Sequence, residues 1–237
     1  MRERSRFFLY MSVVFFAIVL VGFTRTFYLR IYFDVPALPA QAYAHGTILT
    51  AWFSWFCLQT SLVAAGRTDL HRRMGIIGAF IGISVIGVSL LAALELVPRL
   101  VAKYGDISSD LGRLTGVVWG NFTLVFIFAC LLGLAIFWRH RPDVHKRLML
   151  LASISILGPA LTRVARIPWI DNVPEEIFTL TALITLMVAL AVFDYVTEGR
   201  VHRVTNIGAP LIFVCLVIGG LVVPQAEFAR NFVESLQ

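Results

Sequence analysis

The chain has 237 residues, 59% of them hydrophobic and only 14% charged, where soluble domains average near 45–50% apolar and about 25% charged. With a mean hydropathy of +0.84, this composition excludes an ordinary soluble globule, and the lack of low-complexity or heptad tracts excludes disordered, collagen-like and coiled-coil classes. The net charge of +6 comes from bases that flank apolar runs rather than forming one patch, so it points to membrane topology and anionic lipid and not to nucleic acid.

Seven apolar runs of roughly the length that a hydrocarbon core of about 30 Å demands predict spans at 7–23, 40–65, 74–97, 114–138, 148–161, 177–196 and 207–223. The fifth is short and has room to extend to 165. Pro36 and Pro39 precede the second span and Pro174 the sixth, positions where the first helical N–H groups lack partners anyway. The start, with Arg2, Arg4 and Arg6, resembles a signal peptide. Its apolar run is too long for one and no A-x-A site follows, so it is read as a retained helix. Cys57, Cys130 and Cys215 each lie inside an apolar run and read as small core residues.

Orientation follows from the bases in short loops. With the N-terminus inside, Arg2, Arg4, Arg6, Arg67, Arg72, Arg73, Arg139, Arg141, Lys146, Arg147, Arg200 and Arg203 face inward, twelve of the twenty Lys and Arg. The other eight face outward, which predicts an N-inside, C-outside protein with residues 225–237 outside.

An offset of 74 aligns Arg67-Thr68-Asp69-Leu70-His71-Arg72-Arg73 with Arg141-Pro142-Asp143-Val144-His145-Lys146-Arg147, and Gly46-Thr47 with Gly120-Asn121. Spans two and three are thus expected to repeat as four and five in the same orientation, giving an axis along the membrane normal. The expected fold is one all-α integral membrane domain over 1–237. Hairpins 40–97 and 114–165 would form a pseudo-two-fold four-helix core, joined by residues 1–39 (first helix plus outer segment) and two peripheral helices in 174–224. Gly78 and Gly82 make a G-x-x-x-G that lets helix backbones approach, which places span three at the centre.

Two sets of residues carry chemistry. His71 and His145 occupy equivalent places in the two halves, so the repeat would set them at one depth, as two axial ligands of a b-type haem must be. The competing reading is interfacial: bases flank both histidines, a third Φ-H-R occurs at Val201-His202-Arg203, and Asp69 and Asp143 fit helix N-caps. His140 reads as a solvated loop residue. His45 lies within the outer turns of span two, where an ionisable group is by default a functional candidate. The 26 residues from His45 to His71 span about 39 Å of helix, so the two sit at opposite faces. At the depth of His45 are expected Glu95, Arg99, Asn121, Arg163 and Arg166, lining an outward-facing pocket. Arg25, Arg30, Asp34, Tyr28 and Tyr32 would cover it, with Trp52 and Trp55 deeper. The bland alternative is an interfacial belt with headgroup-bound arginines. Asp194 is expected to pair with Arg200 or Arg203.

The stretch His45-Gly46 through Trp52 and Gln59 to Gly66-Arg67-Thr68-Asp69-Leu70-His71-Arg72-Arg73-Met74-Gly75, with His145-Lys146-Arg147-Leu148-Met149 and Arg163, resembles an uncharacterised group of bacterial multi-pass membrane proteins over roughly 40–166. The resemblance implies a helical fold in a bacterial inner membrane and lends no established activity. Members of that group often carry a second histidine just before the His-Gly pair, where this chain has Tyr43. A more remote likeness, of architecture alone, is to four-helix b-type cytochromes of membranes.

No phosphate-binding loop, G-x-S-x-G, H-E-x-x-H or dinucleotide fingerprint occurs. The first expectation is therefore a protein without catalytic machinery, either an accessory or assembly subunit of a larger membrane complex or a binder of a small amphipathic ligand in the outer pocket. The alternatives are a b-haem or quinone-linked redox protein using His71 and His145, a transporter, and an intramembrane enzyme with His45 as base and Glu95 as acid. A transporter is disfavoured because its path normally needs polar or broken helices near the midplane.

Overall fold

The computed structural model describes residues 2–105, 110–168 and 173–237, with side chains from residue 6 onward. Arg6 is therefore described, whereas the side chains of Arg2 and Arg4 lie outside the described residues. Those residues form helices and no strand: α1 (Arg2–Phe23), α2 (Ala40–Ala64), α3 (Thr68–Leu94), α4 (Leu96–Tyr104), α5 (Leu111–Phe137), α6 (Pro142–Ser155), α7 (Gly158–Ala165), α8 (Glu175–Glu198), α9 (Arg203–Val217) and α10 (Glu227–Glu234). Six described helical stretches are long and apolar enough to cross a membrane; α6 and α7 together would make a further one, bent by 46°. The fifth predicted span is thus broken. Pro159, in the first turn of α7, offers no N–H to the preceding turn and its ring crowds the carbonyl there.

Antiparallel packing orders the helices. Between α1 and α2, the Ser12 and Thr60 hydroxyls meet at 2.7 Å near one end, and toward the other the hydroxyl of Tyr28, in the turn that follows α1, meets that of Thr50 at 2.7 Å. On α2 and α3, Trp55 packs over Gly78 and Trp52 over Gly82. The G-x-x-x-G pair therefore makes room for side chains, the two indoles and Leu132 of α5, rather than for close backbone contact. The loops 65–67, 138–141 and 199–202 and the start of α1 lie together at what we call the basic end, where Phe7 stacks on Phe193 at 4.1 Å. Loop 29–39, the junction of α3 and α4 at Glu95 and the start of α5 mark the far end.

Helix α5 packs on α3, α6 and α9 and buries nine residues to the three of α3, so α5 rather than span three holds the centre. The glycines of α3 leave little to bury, and its Ile76, Phe80 and Ile83 face outward. Helix α1, expected as an addition around the core, packs on α2, α6 and α7 and so stands between the two hairpins. The core joins Phe15, Trp52, Phe53, Phe56, Phe128, Leu150 and Leu151. Helices α8 and α9 flank α6 and α7. A smaller cluster at the far end seats α4 and α10 on the start of α5 around Val97, Val118 and Val233, with the Trp119 indole donating to the Ala229 carbonyl at 3.2 Å.

Candidate functional site

At the far end, His45 is positioned by the first turns of α2. Gly46 beside it packs against the Phe27 ring so closely that a Cβ would stand 2.5 Å from it. The His45 ring faces the Val88 carbonyl of α3 and lies within electrostatic reach of Arg163 and Arg99, while its Nδ1 is buried without a hydrogen-bond partner. Arg163 reaches in from α7, donating to the Pro159 carbonyl at 2.8 Å and lying 4.4 Å over the Phe23 ring. Arg99 folds back along α4, donating to the Glu95 and Ala92 carbonyls at 3.0 and 3.2 Å. Neither guanidinium meets a carboxylate among the described residues. Glu95 closes α3 one turn earlier, with Oε2 buried and unpartnered.

The other expected members stand apart from this group. Arg166 is exposed and bound in bidentate fashion to Glu175 at 2.8 and 2.7 Å; those hydrogen bonds hold it above the ordinary arginine range. Arg25 is exposed and lies over the Phe33 ring at 5.1 Å. Asn121 makes no hydrogen bond to the group among the described residues. Arg30 instead anchors the loop after α1: it is buried, donates to the Tyr43 hydroxyl at 2.6 Å and to the Val35 and Pro36 carbonyls. Tyr43 is thereby engaged as an arginine partner.

At the basic end, His71 and His145 do come together, their ring centres 6.3 Å apart and planes at 70°. Each ring turns toward a carbonyl near the end of the helix that precedes it in the chain: His145 Nδ1 lies 2.8 Å from the Ala135 carbonyl, and the His71 ring faces that of Gln59. His71 Nδ1 is buried without a partner, as are both polar atoms of the Gln59 amide. Trp52 and Trp55, on the same face of α2, add two buried indole N–H groups without partners. Gln59 was legible as a polar residue inside an apolar run, but its role was not.

Beside the histidines sits a side-chain network that sequence reasoning missed. Arg147, counted as a loop base, is fully buried and donates to Asp194 through Nε at 2.8 Å and Nη2 at 2.6 Å, to Glu198 at 2.6 Å and to the Asp143 carbonyl at 2.8 Å. Asp194, expected to pair with Arg200 or Arg203, accepts on its other oxygen from the Thr205 hydroxyl at 2.5 Å and the His202 N–H at 3.2 Å. The pairing is across helices because α6, α8 and α9 meet here, which spacing along the chain does not reveal. Asp69 and Asp143 are first-turn residues and not N-caps, those places belonging to Arg67 and Arg141 without side-chain capping bonds. His202 is the residue that caps, its Nδ1 accepting from Val204 N–H at 3.2 Å.

Two shallow apolar grooves of about 400 and 350 Å³ open on the outer surface of α8, one against α1 and α7 and one against α9. No group of three or more metal-binding side chains occurs among the described residues. Compared with family models, with curated proteins and with solved structures, the chain matches none.

Proposed function

We propose that this chain is a multi-pass protein of the bacterial inner membrane, without catalytic machinery of its own, that binds the polar head of a small anionic amphiphile at its far end. The observation that carries the reading is that Arg99 and Arg163 both lie within electrostatic reach of His45 while neither guanidinium meets a carboxylate among the described residues. An unneutralised pair of cations next to a buried, unpartnered imidazole nitrogen is costly in a low-dielectric setting unless an anion joins it. A phosphate or carboxylate supplies that charge, and the guanidinium fork suits both. The aromatic rings of Phe23 and Phe27 would meet the first methylenes of its tail.

The basic end is then cytoplasmic by the bias of lysines and arginines, and the far end faces out. Membership in the uncharacterised bacterial group and the duplication of a helical hairpin belong to the same proposal. The duplication is supported by the matched R-x-D-Φ-H-[RK]-R sequences and by the like setting of their histidines.

The test is thermal unfolding of the detergent-solubilised chain with dodecyl phosphate, dodecanoate or the zwitterionic dodecylphosphocholine. The anionic amphiphiles are expected to raise the midpoint and the zwitterion to leave it nearly unchanged. Losing one charge-assisted contact is worth about 1.5–3 kcal/mol, so Arg163→Gln and Arg99→Gln should each weaken the apparent affinity about 10- to 100-fold. Equal stabilisation by all three, or by wild type and both variants, defeats the reading.

A further inference from the structure

We propose that His71 and His145 are paired ligands of one transition-metal centre at the basic end, a site independent of the anion-binding reading at the far end. Four observations converge. The rings come from helices α3 and α6, 74 residues apart in sequence, yet their centres lie 6.3 Å apart. A ligating imidazole nitrogen stands about 2.0–2.1 Å from its metal; with the ring centre about 1.1 Å beyond that nitrogen, two rings on opposite sides of one ion are about 6.3 Å apart, the separation found. The second observation is orientation. A ligating histidine almost always gives its other N–H to a carbonyl or carboxylate, which fixes the tautomer and turns a lone pair toward the metal. Here His145 Nδ1 is held at 2.8 Å from the Ala135 carbonyl, leaving Nε2 as the acceptor.

The third is that His71, with its ring against the Gln59 carbonyl, keeps Nδ1 buried with no hydrogen-bond partner. The fourth is Gln59 itself. Its side chain is about nine-tenths buried, and neither amide atom has a partner. The pair is thus a two-imidazole donor set against the backbone of a residue whose own amide is buried and unpartnered, in an environment where unmatched polar atoms are expensive. Arg147, two residues beyond His145, does not compete for the role, because it is consumed by Asp194 and Glu198.

The donor count narrows the metal. Two imidazoles without a third carboxylate or thiolate among the described residues do not complete a tetrahedral zinc site or an oxygen-rich magnesium or calcium site. They suit a metal that brings its own remaining ligands, as iron held in a macrocycle does, or a copper ion of low coordination number. The shared chemistry is two-imidazole ligation, and the source of the metal is what the experiment separates.

The full chain is purified from membranes without chelators, and the apo-protein is titrated separately with haemin and with copper(I). Metal content is read by inductively coupled plasma mass spectrometry and absorption is recorded before and after dithionite. About one metal per chain is expected. A Soret band that sharpens and shifts on reduction assigns macrocyclic iron, and copper uptake without that band assigns the free ion. His71→Ala and His145→Ala should each lower occupancy at least about tenfold. Size-exclusion profile and thermal unfolding identify any variant that has failed to fold, and for that position His→Gln replaces His→Ala. Gln59→Leu, which keeps both imidazoles, should retain the metal and displace the absorption band or the reduction potential. The proposal is overturned if the wild-type chain takes up less than about one-tenth of an equivalent in both titrations, or if folded variants lacking either histidine bind as well as wild type.

Discussion

Asp194 shows what one side chain does when its surroundings lack water. Its carboxylate receives Arg147, the Thr205 hydroxyl and the His202 N–H, and both it and Arg147 are fully buried. Removing one member of such a pair leaves an uncompensated charge, which costs about 3–5 kcal/mol. Asp194→Ala is therefore expected to lose most of the folded population in a denaturant titration in detergent, since among the described residues Glu198 is the carboxylate left to Arg147. The double variant Arg147→Met/Asp194→Leu should regain a large part of that loss, because well-packed apolar replacements of a buried pair are often neutral. A single variant within about 1 kcal/mol of wild type would mean that the pair does not clamp α8 and α9 to the core. By contrast, the exposed Arg166–Glu175 pair should contribute less than about 1 kcal/mol, and less still at high salt. The sequence offered all four residues as charged; it did not say which pair would be dry.

Single helices were legible to within a few residues wherever an apolar run met a polar loop. Thus α2 begins where expected at Ala40, and α8 ends at Gly199, whose φ of 71° lies in the left-handed region that glycine enters freely. The break between α6 and α7 was less legible, because hydropathy averages across it. It removes one argument against a transport path, the lack of a broken span, although Leu157, Ala160 and Leu161 around it are apolar and buried. The break also sets how closely α1 approaches. A Cβ on Gly22 would stand 2.5 Å from the Ala160 backbone oxygen, and backbone yields less readily than a side chain. Gly22→Ala is expected to destabilise by about 1–3 kcal/mol through overpacking. In Gly87→Ala the new methyl meets nothing within 4 Å, so that variant should be neutral or gain up to about 1 kcal/mol from helix propensity. Thermal unfolding of the pair in one detergent separates the two, and equal behaviour would show that α1 does not press on α7.

For the whole molecule, the expectation of N-inside orientation is tested by cysteine labelling in intact cells. With Cys57, Cys130 and Cys215 replaced by alanine, His140→Cys at the basic end should react with a membrane-impermeant maleimide only after the membrane is opened. Tyr32→Cys, at an exposed far-end residue, should react at once. The reverse pattern would invert the protein and move the Arg99–Arg163 group to the cytoplasm.

The amino-acid sequence alone determined that this is a helical, membrane-like chain, where most of its long helices begin and end, and that two similar histidine motifs recur. Those properties depend on local hydropathy and on interactions within a few residues. Tertiary packing decided that His71 and His145 adjoin, that Arg147 pairs with Asp194, that α5 and not α3 is central, and that α1 stands between the hairpins. Each of these depends on which faces of distant helices meet, and near-uniformly apolar helices carry too weak a periodic signal to say which side of each one faces its neighbours.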